Sequence, residues 1–165
     1  MANALEAIVQ HNNDIRLLFV PHVHCDLEVI TQVFANLPDK TRRLRTQIAP
    51  LLHQNSAAQY VYTMYDQCEL AISNRFHGVV VPLSMRKKVI AYCDKITKKV
   101  PAVVAKMDQP ELMYSHEDNL EGFVEKVKAN LADKCTSTHT MDTKMDQLSE
   151  VNHKFLDAFE SILPR

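Results

Sequence analysis

Residues 69–92 read Glu69-Leu70-Ala71-Ile72-Ser73-Asn74-Arg75-Phe76-His77-Gly78-Val79-Val80-Val81-Pro82-Leu83-Ser84-Met85-Arg86-Lys87-Lys88-Val89-Ile90-Ala91-Tyr92. Leu70-Ala71-Ile72 is a short apolar run with the length of a buried strand. A polar hexapeptide follows, carrying one Arg and one His. The run over 78–85 is apolar enough for a helix close to the core, although Pro82 suits only a first turn. Past the basic triplet Arg86-Lys87-Lys88, the run 88–92 reads as another strand. The stretch is therefore strand, polar turn, helix, strand. An open α/β sheet binds ligands just beyond the carboxyl ends of its strands, and Arg75 and His77 fall there.

The flanking chain repeats this grammar. Residues 2–10 have helical spacing, and 15–20 form a β-rich run interrupted by Arg16 and ended by Pro21. After the loop His22-Val23-His24, Asp26 is a helix cap. Leu27, Ile30, Val33, Phe34 and Leu37 then recur at three to four residues up to Pro38. We expect a short strand over 46–49, a helix over 57–67 opened by Ser56, a helix over 97–107 with Pro101 in its first turn, and a short edge strand over 112–114. Ser115 and Asp118 resemble a capping box that opens a helix running to Leu131. Residues 135–140 are a polar linker. Met145, Leu148, Val151, Phe155, Leu156, Phe159 and Ile162 mark a long amphipathic helix over 141–165, packing on its own domain or on a partner. Alternating strands and helices imply a Rossmann-like, open, mainly parallel sheet of four to five strands with helices on both faces, spanning 1–134.

Composition limits the function. At 165 residues the chain holds one domain with an appended helix, and that size buries a core without metal or disulfide. Net charge is -1, so nothing global favours nucleic acid or an anionic membrane as partner. No run approaches the eighteen or so apolar residues of a membrane span. Residues 1–11 lack the basic flank and apolar core of a signal peptide, so a cytoplasmic location is expected. Cys25, Cys68, Cys93 and Cys135 form no CxxC pair and read as reduced, partly buried thiols. Gly78 and Gly122 are the only glycines, which excludes a glycine-rich phosphate cradle. An anion would have to be held by side chains and a helix N-terminus.

Arg75 offers a fork of donors matching carboxylate or phosphate, and His77 is the residue type most easily tuned to exchange a proton. The helix start beside them adds backbone N–H donors. The competing reading is structural: Arg75 pairs with a helix acid and His77 caps a turn. His22 and His24 sit in the loop after the first strand and would face the same cleft, His22 being the better placed. Cys25 and Asp26 lie too close to them to complete a tetrahedral zinc set, so no metal is expected. Arg86-Lys87-Lys88 reads as a solvated turn, with an acceptor-binding patch as the alternative. Tyr60, Tyr62 and Tyr65 do not share a helix face and read as mixed core and surface.

The turn Ser73-Asn74-Arg75-Phe76-His77-Gly78, the apolar helix, the strand Val89-Ile90-Ala91-Tyr92 and the following Asp94-Lys95 together resemble the C-terminal part of the polysaccharide pyruvyl transferase family. Leu17-Leu18-Phe19-Val20-Pro21-His22 with Asp26 is similar to that family's preceding βα unit, and Glu117-Asp118 fits its final stretch. The resemblance covers about 15–131. It departs where Arg86-Lys87-Lys88 replaces the family's Gly-x-Pro, and in length, since the family has two Rossmann-like halves of GT-B type and this chain is long enough for one.

The resemblance implies transfer of the enolpyruvyl group of phosphoenolpyruvate onto two hydroxyls of a sugar or glycan acceptor as a ketal, with phosphate released. It makes Arg75 and His77 the catalytic residues, Arg75 holding donor phosphate or carboxylate and His77 acting as acid or stabiliser at the enol carbon. His22, Ser73, Asn74 and Lys95 join Arg75 as substrate-binding residues. No cofactor is implied beyond the donor substrate. A one-sided site implies a missing N-terminal half or a homodimer. The alternative is a non-catalytic anion- or sugar-binding or assembly module on the same fold.

Overall fold

A computed structural model describes residues 1–52, 56–93, 98–106, 110–115 and 119–132. The elements in order are α1 (Ala2–His11), β1 (Leu17–Phe19), α2 (His24–Ala35), α3 (Asp39–Arg45), β2 (Thr46–Ile48), α4 (Ser56–Gln67), β3 (Leu70–Ser73), α5 (Phe76–Ser84), β4 (Lys88–Cys93), α6 (Lys99–Lys106), β5 (Met113–Ser115) and α7 (Leu120–Ala132). The expected linker over 135–140 and the helix over 141–165 lie outside the described residues.

All the strand pairings among the described residues are parallel. β1 pairs with β2, placing Leu18 opposite Gln47. β4 is the centre of a second sheet, between β3 and β5, with Ile72 opposite Ile90 and Tyr92 opposite Tyr114. Two small sheets, of two and three strands, thus stand where one sheet of four to five was expected; no ladder joins β1 to β3 among the described residues.

β4 is apolar on both sides because both its sides are covered, as parallel strands require. Val89, Ala91 and Cys93 point into a core shared with Val79 and Leu83 of α5, Val100 and Val104 of α6, and Tyr65 of α4. Ile90 and Tyr92 point the other way, against Leu5 and Ile8 of α1, Phe123 and Val127 of α7, and Leu17 and Phe19 of β1. Helices therefore cover both faces of the three-stranded sheet.

Several local expectations shift. The run over 15–20 pairs only at Leu17–Phe19. α3 was not anticipated. It has one large apolar residue, Leu44, which is exposed, and it is held by Asp39 bridging to Arg42 and Arg43 at 2.9 and 3.0 Å. α2 opens at His24, so Asp26 lies in its first turn and not at the cap position itself. α7 opens at Leu120 and not at Ser115, which belongs to β5; Asn119 caps it, its Oδ1 accepting from the Gly122 N–H at 2.7 Å.

α5 starts at Phe76 and puts Pro82 in its last turn, not its first. The helix then closes by a Schellman arrangement: the Lys87 N–H donates to the Pro82 carbonyl at 2.9 Å and the Arg86 N–H to the Leu83 carbonyl at 2.9 Å. Arg86 occupies the left-handed position with φ 60°, where glycine is the usual residue. Left-handed backbone costs a residue with a Cβ about 1–2 kcal/mol. Arg86→Gly relieves that cost and Arg86→Ala keeps it while removing the same side chain, so the Gly variant is expected to be the more stable of the two by about 1 kcal/mol, read as a higher urea midpoint with unchanged m-value.

The rest of the basic triplet is tied inward. Lys87 Nζ bridges to Asp66 at 3.2 Å and Lys88 Nζ donates to the Asn130 carbonyl at 2.7 Å. Both lie at the amino end of β4, opposite the end where a ligand site would form, so these two lysines are placed as anchors and not as an acceptor patch. Among the described residues no helix is long and apolar enough to cross a membrane.

Candidate active site

Two loops meet beyond the carboxyl ends of β1 and β3. The first runs from buried Pro21 through His22 and Val23 into α2. Its shape is set by Asp26, whose Oδ2 accepts the backbone N–H of His22 at 2.9 Å and of Val23 at 3.1 Å. A carboxylate in the first turn of a helix suits the orphan N–H groups and the positive end of the dipole. The second loop is the 73–78 turn. Ser73 Oγ accepts the Arg75 backbone N–H at 3.0 Å, which folds the turn, and Arg75 sits extended at the N-cap of α5. Gly78 permits this fold because it has no side chain: a Cβ there would lie 2.1 Å from Ser73 Oγ.

Asp26 joins the loops. Its Oδ1 accepts from Arg75 Nε at 3.0 Å and from Arg75 Nη2, so one carboxylate holds two backbone donors of its own loop and two guanidinium donors of the other. Arg75 Nη2 also donates to Cys25 Sγ at 3.1 Å. Burial acts to raise the Asp26 pKa, but the Arg75 hydrogen bond and the His22 and Val23 N–H groups outweigh it and hold the carboxyl below its ordinary value. Arg75 is raised in turn, chiefly by its hydrogen bond to Asp26. The Arg75 side chain stays 44% exposed, and no described residue accepts from its Nη1, so one edge of the guanidinium faces outward.

His22 is half-buried, with Nε2 2.8 Å from the Tyr65 hydroxyl. Burial lowers its pKa, Asp26 acts to raise it, and His77 and Arg75 lower it further. The two histidines are thus close enough for their charges to oppose each other. His77 itself is exposed in the first turn of α5, edge-on to the Phe76 ring at 5.4 Å between centroids. Tyr65 is buried under the turn, its pKa pushed up to about 12 by burial and by nearby Cys68 and Asp26.

No family model, no curated protein and no solved structure matches this chain.

Of the residues singled out from sequence, the structure brings together Arg75, His77 and His22. Ser73 is at the same place, but its hydroxyl is engaged in folding the turn. Asn74 is exposed at the tip of that turn, and Lys95 lies outside the described residues. Arg75 pairs with a helix acid, as the structural reading had it, but across the two loops. Among the described residues no three His, Cys, Asp or Glu side chains converge as a metal site would need. Sequence reasoning missed Asp26 as the link between loops and Tyr65 as their floor. Asp26 had a signal, since an acid in a helix first turn beside a candidate site is often spent on backbone donors. Tyr65 had none beyond its place at the end of a helix.

Proposed function

We propose that the chain is a polysaccharide pyruvyl transferase-like domain, the C-terminal-type half of a GT-B-type enzyme, in which β2-β1-β3-β4-β5 form one Rossmann-like parallel sheet. The packing of Leu17 and Phe19 of β1 with Leu70 of β3 in one core supports that strand order. The observation that carries the functional reading is the convergence of Arg75, His77 and His22 past the carboxyl ends of β1 and β3. Arg75 supplies a permanent cation whose outer edge suits the donor's carboxylate or phosphate. His77 delivers a proton to the methylene carbon of phosphoenolpyruvate. The central carbon then bonds two sugar oxygens as each hydroxyl gives up its proton and the bond to the phosphate oxygen breaks; one of those protons returns to His77 and the other leaves with the phosphate.

The exposure of Arg75 and His77 favours a second reading, a binding module without turnover. A one-sided site does not exclude water or position an acceptor, and positioning supplies much of a catalytic gain. An added N-terminal half or a second copy would provide the opposing wall.

Thermal shift with millimolar phosphoenolpyruvate tests the shared premise. Arg75→Ala is expected to weaken binding about 10- to 100-fold, since a hydrogen-bonded charge contributes roughly 1.5–3 kcal/mol. No response from the wild-type protein would sink both readings. Ketal formation on a β-galactoside acceptor separates the enzyme from the binding module.

A further inference from the structure

We propose that Tyr65, which belongs to neither loop, is a positioning residue that donates its phenolic O–H to His22 Nε2 and so fixes His22 as a neutral ring with its proton on Nδ1. This rests on reading the two loops as an anion site, and it settles which kind of donor His22 brings to that site.

The argument begins with the phenol. Tyr65 is 6% exposed, and a buried hydroxyl needs an acceptor. The sole described acceptor in reach of its O–H is His22 Nε2 at 2.8 Å. Burial keeps the phenol protonated, so at neutral pH it has a proton to give. A neutral imidazole has one donor nitrogen and one acceptor nitrogen, and spending Nε2 as acceptor leaves the proton on Nδ1. Protonating His22 would turn Nε2 into a donor facing a hydroxyl that then has no described acceptor.

The charges around the ring fit this state. From α5 and its cap, Arg75 and His77 disfavour a cation at His22. From α2, Asp26 favours one, but its carboxylate is already shared among the Arg75 guanidinium and two backbone N–H groups. Just past the end of α4, Cys68 acts on Tyr65 and not on His22. Tyr65 is also the floor of the second loop, its hydroxyl lying 3.2 Å from where a Cβ on Gly78 would be. One hydroxyl thereby registers the His22 loop against the Arg75–His77 turn. His22 then serves as a neutral hydrogen-bond donor, and proton delivery falls to His77.

Nitrogen NMR of the uniformly labelled full chain tests this without any ligand, with His22→Gln identifying the His22 signals. The expected wild-type pattern is the Nδ1–H tautomer. In Tyr65→Phe, which keeps the ring and loses the hydroxyl, the pattern should move toward Nε2–H, and the His22 titration midpoint should rise by about half to one pH unit. A wild-type ring protonated on Nε2, or a Tyr65→Phe protein with unchanged tautomer and midpoint, overturns the proposal. The wild-type tautomer decides the matter even if the variant does not fold. Failure of phosphoenolpyruvate binding would remove the functional reading and leave the tautomer result standing, so the two failures are distinguishable.

Discussion

Gly78→Ala is expected to destabilise the protein by about 3 kcal/mol and to remove its response to phosphoenolpyruvate. The new Cβ would lie 2.1 Å from Ser73 Oγ, 2.8 Å from Ser73 Cβ and 3.2 Å from the Tyr65 hydroxyl. Rotating Ser73 moves the oxygen away but abandons the Arg75 N–H that folds the turn, and it cannot move the Ser73 Cβ. Overpacking of this kind costs about 1–3 kcal/mol, and the upper end applies because the lost hydrogen bond is added. The φ of Gly78 is not positive, so the effect is one of space alone. Urea unfolding measures it. Ser73→Gly in the Gly78→Ala background removes both Ser73 atoms and should recover part of the loss. A double-mutant cycle with no coupling between the two positions would refute the steric account.

Asp26→Ala should cost about 1–2 kcal/mol at neutral pH. It frees two backbone N–H groups at the start of α2, an end that contributes about 1 kcal/mol when capped, and it strips Arg75 of the carboxylate that aims it. The ion pair itself adds little more, because Arg75 is largely exposed and solvent screens it. The pH dependence has a definite sign. The folded carboxyl titrates below its ordinary 3.8, so the unfolded chain takes up the proton first. The contribution of Asp26 is whole above the unfolded value and is lost as pH falls through the folded one. The stability gap between wild type and Asp26→Ala should therefore be flat above about pH 5 and narrow below about pH 4. A gap that narrowed between pH 7 and 5 would assign the effect to a histidine instead.

Most of the α/β order was legible in the chain. The segment 69–92 declared its strands through short apolar runs, and β4 declared its double burial through an unbroken one. α3 was illegible because a helix with one exposed Leu has no apolar stripe to reveal its period. Its signal was electrostatic, an acid after Pro38 and three arginines toward its end. The placement of Arg75 and His77 followed from the strand end before them. Their setting did not, because Asp26 is 49 residues from Arg75 and Tyr65 is 43 from His22. Local pattern reports which side chains stand at a strand end. It does not report what comes across from another loop to meet them.

The two-faced strand β4 carries a consequence for how this protein tolerates change. Successive residues of one backbone segment, Val89 to Cys93, anchor alternately in the two cores. Neither core can loosen by itself without dragging that shared strand. A substitution behind α7 and one behind α5 therefore draw on the same reserve of stability. Variation in the two halves is expected to be coupled, and a chain already weakened on one side will accept less on the other.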